Sequence, residues 1–216
     1  MTEINKKKAL VKYIKLSSNI GLSPLRSGNM SIRHNRGREK GFLISPSGTT
    51  NKEIKVEDIV FTRENGSYQH KSKLPSSEWR LHRDLYKKEN IDSVVHIHSK
   101  YAVIASCLYS KIPSFHYMIG LFGGESIRSA DYATFGTKKL SENVIKAINK
   151  RTGCLISNHG QITIGRNIEE AFELSQELEL LCEYYYRAKL LTKPKIISKS
   201  NMKKILEKFI DYKKER

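Results

Sequence analysis

Residues 93–99 read Ser-Val-Val-His-Ile-His-Ser, a β-branched run with two histidines two positions apart. In a strand, residues i and i+2 project from one face. Val94, His96 and His98 therefore share a face, while Val95 and Ile97 take the other. Two neutral imidazoles side by side on a rigid strand supply half of a tetrahedral metal site. A surface strand carrying two histidines has the same spacing, so the flanking sequence decides between the two.

The order of elements around that run predicts its setting. Helical spacing of Ala9, Leu10, Tyr13, Ile14 and Ile20 predicts a helix over 3–21, ending near Gly21. Strands follow at 31–34 and 42–45 about a charged turn, then at 58–62 and 67–70 about Asn65-Gly66, a strong hairpin signal. A helix is expected over 76–90, the histidine strand over 93–98 and another helix over 100–109. Residues 112–119 read as extended and 120–124 as flexible. A helix over 137–151, strands at 154–157 and 160–165, and the longest helix, from Asn167 to Leu191, complete the pattern. No repeat, linker or composition break interrupts it. Residues 1–216 are thus expected to form a single α/β domain with a central, mostly antiparallel sheet flanked by helices.

Glu78 is the oddity of the 76–90 segment. Leu81 and Leu85 mark its apolar face, and Glu78, three positions before Leu81, falls on the same face. A carboxylate turned to the core needs an ion pair or a metal. His159, in Ser-Asn-His-Gly, leaves the end of the short apolar strand at 154–157. With His96 and His98 it makes a three-histidine set that leaves a fourth metal position open, the arrangement of a catalytic zinc. Glu78 is the carboxylate for that site, as fourth ligand or as acid/base. Three loops of small polar residues, Ser27 to Asn29, Ser45 to Thr49, and Ser76-Ser77, offer hydroxyls and open N–H groups suited to a phosphate.

Composition narrows the function classes. Lys and Arg outnumber Asp and Glu by 39 to 22, giving a net charge of +17, yet the lysines spread along the whole chain. No motif interleaves them with aromatics as a stacking platform for nucleic acid would. A positive field of this kind favours an anionic substrate such as a phosphate ester. The densest basic stretch, 193–216, holds nine Lys/Arg against three Glu/Asp and alternates with Ile197, Ile205, Leu206 and Phe209, as an amphipathic closing helix would. That tail is also the candidate mobile element. No apolar run spans a membrane, no signal-peptide pattern opens the chain, and Cys107, Cys154 and Cys182 are odd in number and far apart. A cytoplasmic protein without nucleic-acid or membrane partners is expected, with the cysteines as core fillers.

The motifs then carry a resemblance. Gly28-Asn29-Met30-Ser31, Ser45-Pro46-Ser47-Gly48, Pro75-Ser76-Ser77-Glu78-Trp79-Arg80-Leu81-His82, Val95-His96-Ile97-His98 and Asn158-His159-Gly160 resemble successive motifs of the class II aldolase/adducin family. The match runs from the first helix to about residue 191. Residues 112–119 and 132–137 resemble the subgroup that cleaves L-fuculose 1-phosphate. The resemblance implies a zinc aldolase, or one using another divalent metal, usually a homotetramer with sites between subunits. His96, His98 and His159 would hold the metal, with Glu78 as resting fourth ligand and as acid/base. Asn29, Ser47, Gly48, Ser76 and Ser77 would bind the phosphate. Tyr117 of a neighbouring chain would handle the aldehyde-oxygen proton, and Phe135 would shape the aldehyde pocket. Ser47 stands where the subgroup often has threonine, which keeps the hydroxyl. The implied reaction is reversible cleavage of a ketose 1-phosphate into dihydroxyacetone phosphate and an aldehyde through a metal-stabilised enediolate.

Rivals inside the family are an aldolase for 5-deoxy- or methylthio-pentulose 1-phosphates, an L-ribulose-5-phosphate 4-epimerase and a methylthioribulose-1-phosphate dehydratase. The epimerase subgroup typically has aspartate where this chain has Glu78. Outside enzymes, the rivals are an adducin-like binding protein, against which the intact histidines argue, and a nucleic-acid binder suggested by charge alone.

Overall fold

The histidine run forms a fully buried strand near the middle of the sheet. The structure, a computed structural model, describes residues 1–88 and 90–214, with side chains up to 211. Among the described residues nine strands are formed: β1 (Asn29–Arg33), β2 (Gly41–Ile44), β3 (Val60–Arg63), β4 (Tyr68–Gln69), β5 (Ser93–Ile97), β6 (Lys111–Pro113), β7 (Ser126–Ala130), β8 (Gly153–Ile156) and β9 (Gly160–Gly165). They lie in the order β4-β3-β2-β1-β5-β9-β8-β7-β6. Only β7 and β8 run parallel; every other neighbouring pair is antiparallel. The expected mostly antiparallel α/β fold is the one formed.

The helices that cover the sheet are α1 (Glu3–Asn19), α2 (Trp79–Leu85), α3 (Lys100–Leu108), α4 (Lys138–Ala147), α5 (Ile168–Leu191) and α6 (Lys199–Lys214). The alternation read from the sequence separates the two faces. Val94 joins Leu81, Leu85, Leu140 and Val144 in the core beneath α2 and α4. Val95 and Ile97 join Leu10, Ile14 and Phe172 in the core beneath α1 and α5. Side-chain caps start several helices: Thr2 accepts from the Asn5 N–H at 3.3 Å, Thr137 from Leu140 at 3.2 Å and Asn167 from Glu170 at 2.8 Å. Glu169 and Glu170 in the first turn of α5 complement its dipole. At the predicted hairpin turn Gly66 has φ +90°, and a Cβ there would meet the Trp79 ring at 2.3 Å, so this turn also seats α2.

Three expectations need correction. The helix expected over 76–90 is only Trp79–Leu85, and residue 89 of that span lies outside the described residues. Its start is delayed because the preceding chain is paired alongside 45–47: the Ser47 N–H donates to the Leu74 carbonyl at 2.9 Å, and Ser76 N–H to Ser45 at 3.1 Å. Its end is capped when Arg33 donates to the Tyr86 carbonyl at 2.6 Å. Residues 112–119 are extended only to Pro113; Tyr117–Phe122 is a 3-10 turn, whose three-residue repeat stacks Ile119 and Phe122 into the core. Gly120 lies inside that turn under α6, where a Cβ would meet Phe209 at 2.9 Å, so the stretch expected to be flexible is packed over its first half. The strand β7 had no sequence counterpart.

The tail docks on its own chain through Ile197, whose N–H donates to the Ser114 carbonyl at 2.8 Å, and through the buried Met202. Among the described residues no helix is long and apolar enough to cross a membrane.

Phe172 ties α1 to α5, its ring 5.1 Å from Tyr13 and its side chain 1% exposed. Phe172→Ala is expected to lower the unfolding free energy by roughly 3–5 kcal/mol in urea titration. Leu191→Ala, at an 87% exposed position, should stay within about 0.5 kcal/mol.

Candidate metal centre and substrate cavity

Three pieces of chain bring four side chains together at one end of β5. His96 is its fourth residue and His98 follows its last. His159 sits in the β8–β9 turn, where Asn158 adopts φ +55°, a left-handed conformation that asparagine tolerates. Glu78 occupies the residue before α2, not a position on the helix face as the periodicity suggested. It is nevertheless buried, at 5% exposure.

Two glycines make the convergence sterically possible. A Cβ on Gly160 would lie 2.6 Å from the Ile97 carbonyl oxygen and 3.1 Å from the His98 ring. One on Gly28, at φ +75°, would lie 2.6 Å from the His96 carbonyl oxygen. The sheet register then sets Asn29 directly across from His96.

The ligand atoms of Glu78, His96, His98 and His159 all lie within 4.8 Å of one another. The Nε2 of His96 is 3.1 Å from that of His98 and 3.3 Å from that of His159, and Glu78 Oε2 lies 3.1 Å from His96 Nε2. Ligands at ordinary zinc–nitrogen bond lengths stand about 3.3 Å apart at the corners of a tetrahedron. His96 Nδ1 is 2.8 Å from the Gln161 carbonyl oxygen, to which it donates. That fixes the tautomer that leaves Nε2 with a free lone pair. Glu78 Oε1 is buried with no hydrogen-bond partner. Three converging lone pairs and an orphaned carboxylate oxygen fit a divalent cation, and these four residues would hold it.

The electrostatics agree. Burial, then the charge of neighbouring imidazoles, pushes His98 down to about 3 and His159 down to about 4, so both stand as free bases at neutral pH. Burial opposes ionisation of Glu78, but His96, His159 and the Asn29 amide outweigh it and hold the carboxyl below its usual range. Burial likewise opposes a charge on His96, and the Glu78 carboxylate overrides it upward.

Sequence reading missed the support behind Glu78. Asn29 Nδ2 donates to Glu78 Oε2 at 3.0 Å, and Asn29 Oδ1 accepts from His82 Nε2 at 2.5 Å. His82 Nδ1 then lies 2.7 Å from Ser31 Oγ, itself 2.7 Å from the Tyr86 hydroxyl. His82 is fully buried, and burial together with the charge of His96 pushes it down to about 3. The signal was present, since His82 and Tyr86 are four residues apart and Leu81-His82 interrupts an apolar face. Asn29, expected among the phosphate ligands, has its side-chain amide engaged on Glu78.

Ser47, Gly48, Ser76, Ser77 and Phe135 line one cavity of about 400 Å³ together with Asn29, Glu78, His98 and His159. All the expected site residues but His96 and Tyr117 thus border that space. His96 lies behind it at 0% exposure. Tyr117 lies elsewhere on this chain, 52% exposed and stacked on Phe209 of α6. Arg26, which the sequence reading passed over, lines the same cavity.

Comparison with known proteins completes the description. Residues 8–186 match the Class II Aldolase and Adducin N-terminal domain. A 5-methylthioribulose-1-phosphate/5-deoxyribulose-1-phosphate aldolase of Rhodospirillum rubrum is 38% identical over 94% of this chain and 90% of its own length. The L-fuculose phosphate aldolase of Escherichia coli K12 is 38% identical over 89% of this chain and 88% of its own. A solved structure of an L-fuculose 1-phosphate aldolase superposes with a TM-score of 0.88 at 35% identity, covering 95% of this chain and 96% of that one.

The buried histidines predict how the chelator-treated protein responds to acid. For His98, His159 and His82 the folded pKa lies below the unfolded value near 6.5. Their contribution is therefore complete above pH 6.5 and falls as the pH drops toward 4 and 3. His96, raised, works in the opposite sense but is one against three. Thermal unfolding of the chelated protein should show Tm falling between pH 6.5 and 5, with a shallower fall in His159→Gln.

Proposed function

From the premise that the chain belongs to the class II aldolase and adducin family, we propose that it cleaves a ketose 1-phosphate to dihydroxyacetone phosphate and an aldehyde, with zinc as the resident cation. The observation that supports this best is the buried Glu78 carboxylate beside three converging imidazoles, its Oε1 without a hydrogen-bond partner and 3.7 Å from His159 Nε2, at the cavity that Glu78 lines with Ser47, Ser76 and Ser77.

His96, His98 and His159, with Glu78 in the resting state, would hold the cation, which would supply Lewis-acid stabilisation of the negative charge that develops on the ketose oxygens. The chain's own groups do the rest. Hydroxyls of Ser47, Ser76 and Ser77, with the Gly48 backbone, bind the phosphate and set the carbonyl beside Glu78. In cleavage the C4 hydroxyl gives up its proton, the C3–C4 bond breaks with its electron pair retained on C3, and C3 is protonated to give dihydroxyacetone phosphate. Glu78 delivers that proton, and in condensation Oε1 removes it again. Its low proton affinity in the free site suits a group that must be ionised to act as the base. His82, through Asn29, keeps the carboxylate oriented. Tyr117 serves the C4 oxygen from a neighbouring subunit of a homotetramer, and Phe135 borders the aldehyde's side of the cavity.

The substrate classes to weigh are those on which the similar enzymes act. The named alternatives are 5-deoxyribulose 1-phosphate and methylthioribulose 1-phosphate beside L-fuculose 1-phosphate. Metal-loaded protein should release dihydroxyacetone phosphate from at least one of these ketoses, and chelation should abolish the release. Glu78→Gln should lower kcat by about 10²–10⁴-fold while phosphate binding, read by thermal shift, persists. No release from any ketose phosphate would overturn the reading.

The subunit-crossing role of Tyr117 has its own test. Glu78→Gln and Tyr117→Phe, each impaired alone, should regain activity when coexpressed as mixed oligomers. Hybrids no more active than the parents would remove Tyr117 from the site.

A further inference from the structure

Arg26 is an unpaired cation at the mouth of the metal cavity. Among the described residues no hydrogen bond, ion pair or ring contact engages its guanidinium, whereas Arg33, Arg36 and Arg63 are all engaged. It borders two cavities at once. One is the 400 Å³ space with Ser47, Ser76, Ser77 and Glu78; the other, of about 800 Å³, is walled by Pro24, Leu25, Thr50 and Val103. His98 and His159 border both, so Arg26 stands where the two spaces meet at the histidines.

The loop that carries it is held in a conformation its residues would not choose. Leu25 has φ +58°, which is costly for any side chain other than glycine or asparagine. Its own side chain is 78% exposed, so packing of that leucine does not impose the shape. The buried Asn51 does. Its N–H donates to the Leu25 carbonyl at 2.9 Å, and its Nδ2 donates to the carbonyls of Ser23 at 3.2 Å and Ser27 at 3.0 Å. Ser27 Oγ closes the turn on the Pro24 carbonyl at 2.7 Å. Two residues on, Gly28 seats the loop against the His96 carbonyl. The backbone of residue 26 is thereby fixed relative to the histidines.

Resting on the proposed ketose phosphate chemistry, we infer that Arg26 is a substrate-binding residue that pairs with the phosphate dianion of the substrate and selects phosphorylated over free ketoses. The remaining donors facing this cavity near Ser47 and Ser76 are neutral hydroxyls and N–H groups. These orient a phosphate, but they do not neutralise it. A guanidinium presents a planar fork matched to two phosphate oxygens, and its position beside the histidines puts that charge on the side where the ketose must lie.

The test compares Arg26→Met and Arg26→Lys with the unaltered, metal-loaded protein. Substrates are the best ketose 1-phosphate and the same ketose without phosphate, with inorganic phosphate as competitor and as thermal-shift ligand. Loss of a charge-assisted contact should raise KM for the phosphorylated ketose about 10- to 100-fold in Arg26→Met, with kcat much less affected. The preference for phosphorylated over free ketose should fall by the same factor, the phosphate Ki should rise with it, and Arg26→Lys should recover part of each. An unchanged KM and Ki would overturn the inference. So would an equal loss on both ketoses, or a changed oligomeric state without a change in Ki, because each places Arg26 in structure or assembly. If no ketose phosphate is cleaved at all, the proposed reaction falls. Arg26-dependent stabilisation by inorganic phosphate then still supports the phosphate contact, and its absence overturns that contact too.

Discussion

Three imidazole nitrogens and a carboxylate oxygen crowd one small buried space, and the fold is arranged around that constraint. The lone pairs of His96, His98 and His159 converge within hydrogen-bond distance, yet Nδ1 of His96 already holds its proton against Gln161. Left to themselves such groups would part. They stay because each is fixed by backbone rather than by side-chain packing. His96 is fixed by pairing β5 between β1 and β9, His159 by the left-handed Asn158 turn, and Glu78 by the chain running beside 45–47 before α2 begins. A site assembled from strand ends and one helix entry is more tightly set than one on free loops, and the cost of gathering the ligands is met during folding.

The polar chain behind Glu78 follows from the same constraint. A buried carboxylate with one oxygen reserved for chemistry can rotate unless its other oxygen is held. Asn29 holds it, and the register that opposes Asn29 to His96 puts the amide within reach. An amide can also rotate, and His82 closes that freedom, backed by Ser31 and Tyr86. Complete burial keeps His82 a neutral ring, with its Nε2 directed at Asn29 Oδ1. For this reason the buried face of the 79–86 segment carries His82 beside the apolar Leu81 and Leu85.

Much of this was legible in the sequence, and the unread parts share a cause. The period-two run at 93–98 fixed the strand and the common side of its histidines, and Asn65-Gly66 and the long 167–191 periodicity are local signals that folded as written. Glu78 was found for a mistaken reason. Periodicity put it on a helix face, whereas it precedes the helix, because the backbone of 74–76 pairs with a segment thirty residues away. Non-local pairing also hid β7, and burial of Ile119 and Phe122 turned an apparently extended run into a 3-10 turn. His82 and Arg26 escaped for opposite reasons. One is a polar residue whose partners are distant in sequence, and the other is a charged residue that looks like surface until its loop is built.

The division of the site explains why similarity reaches differently named aldolases at the same 38% identity. Both names are those of sugar-phosphate aldolases, and they differ in the sugar phosphate named. The histidines and Glu78, with Asn29 behind the carboxylate and the hydroxyls at 47, 76 and 77 around the same cavity, sit on the sheet and its tight turns, where a shift of one residue would dismantle the cluster. The rim of that cavity includes Tyr132 and Phe135, 64% and 65% exposed on this chain. There a methyl, methylthio or hydroxyl difference is worth only about 1–3 kcal/mol. A difference of that size can arise from a few rim residues without disturbing the buried cluster.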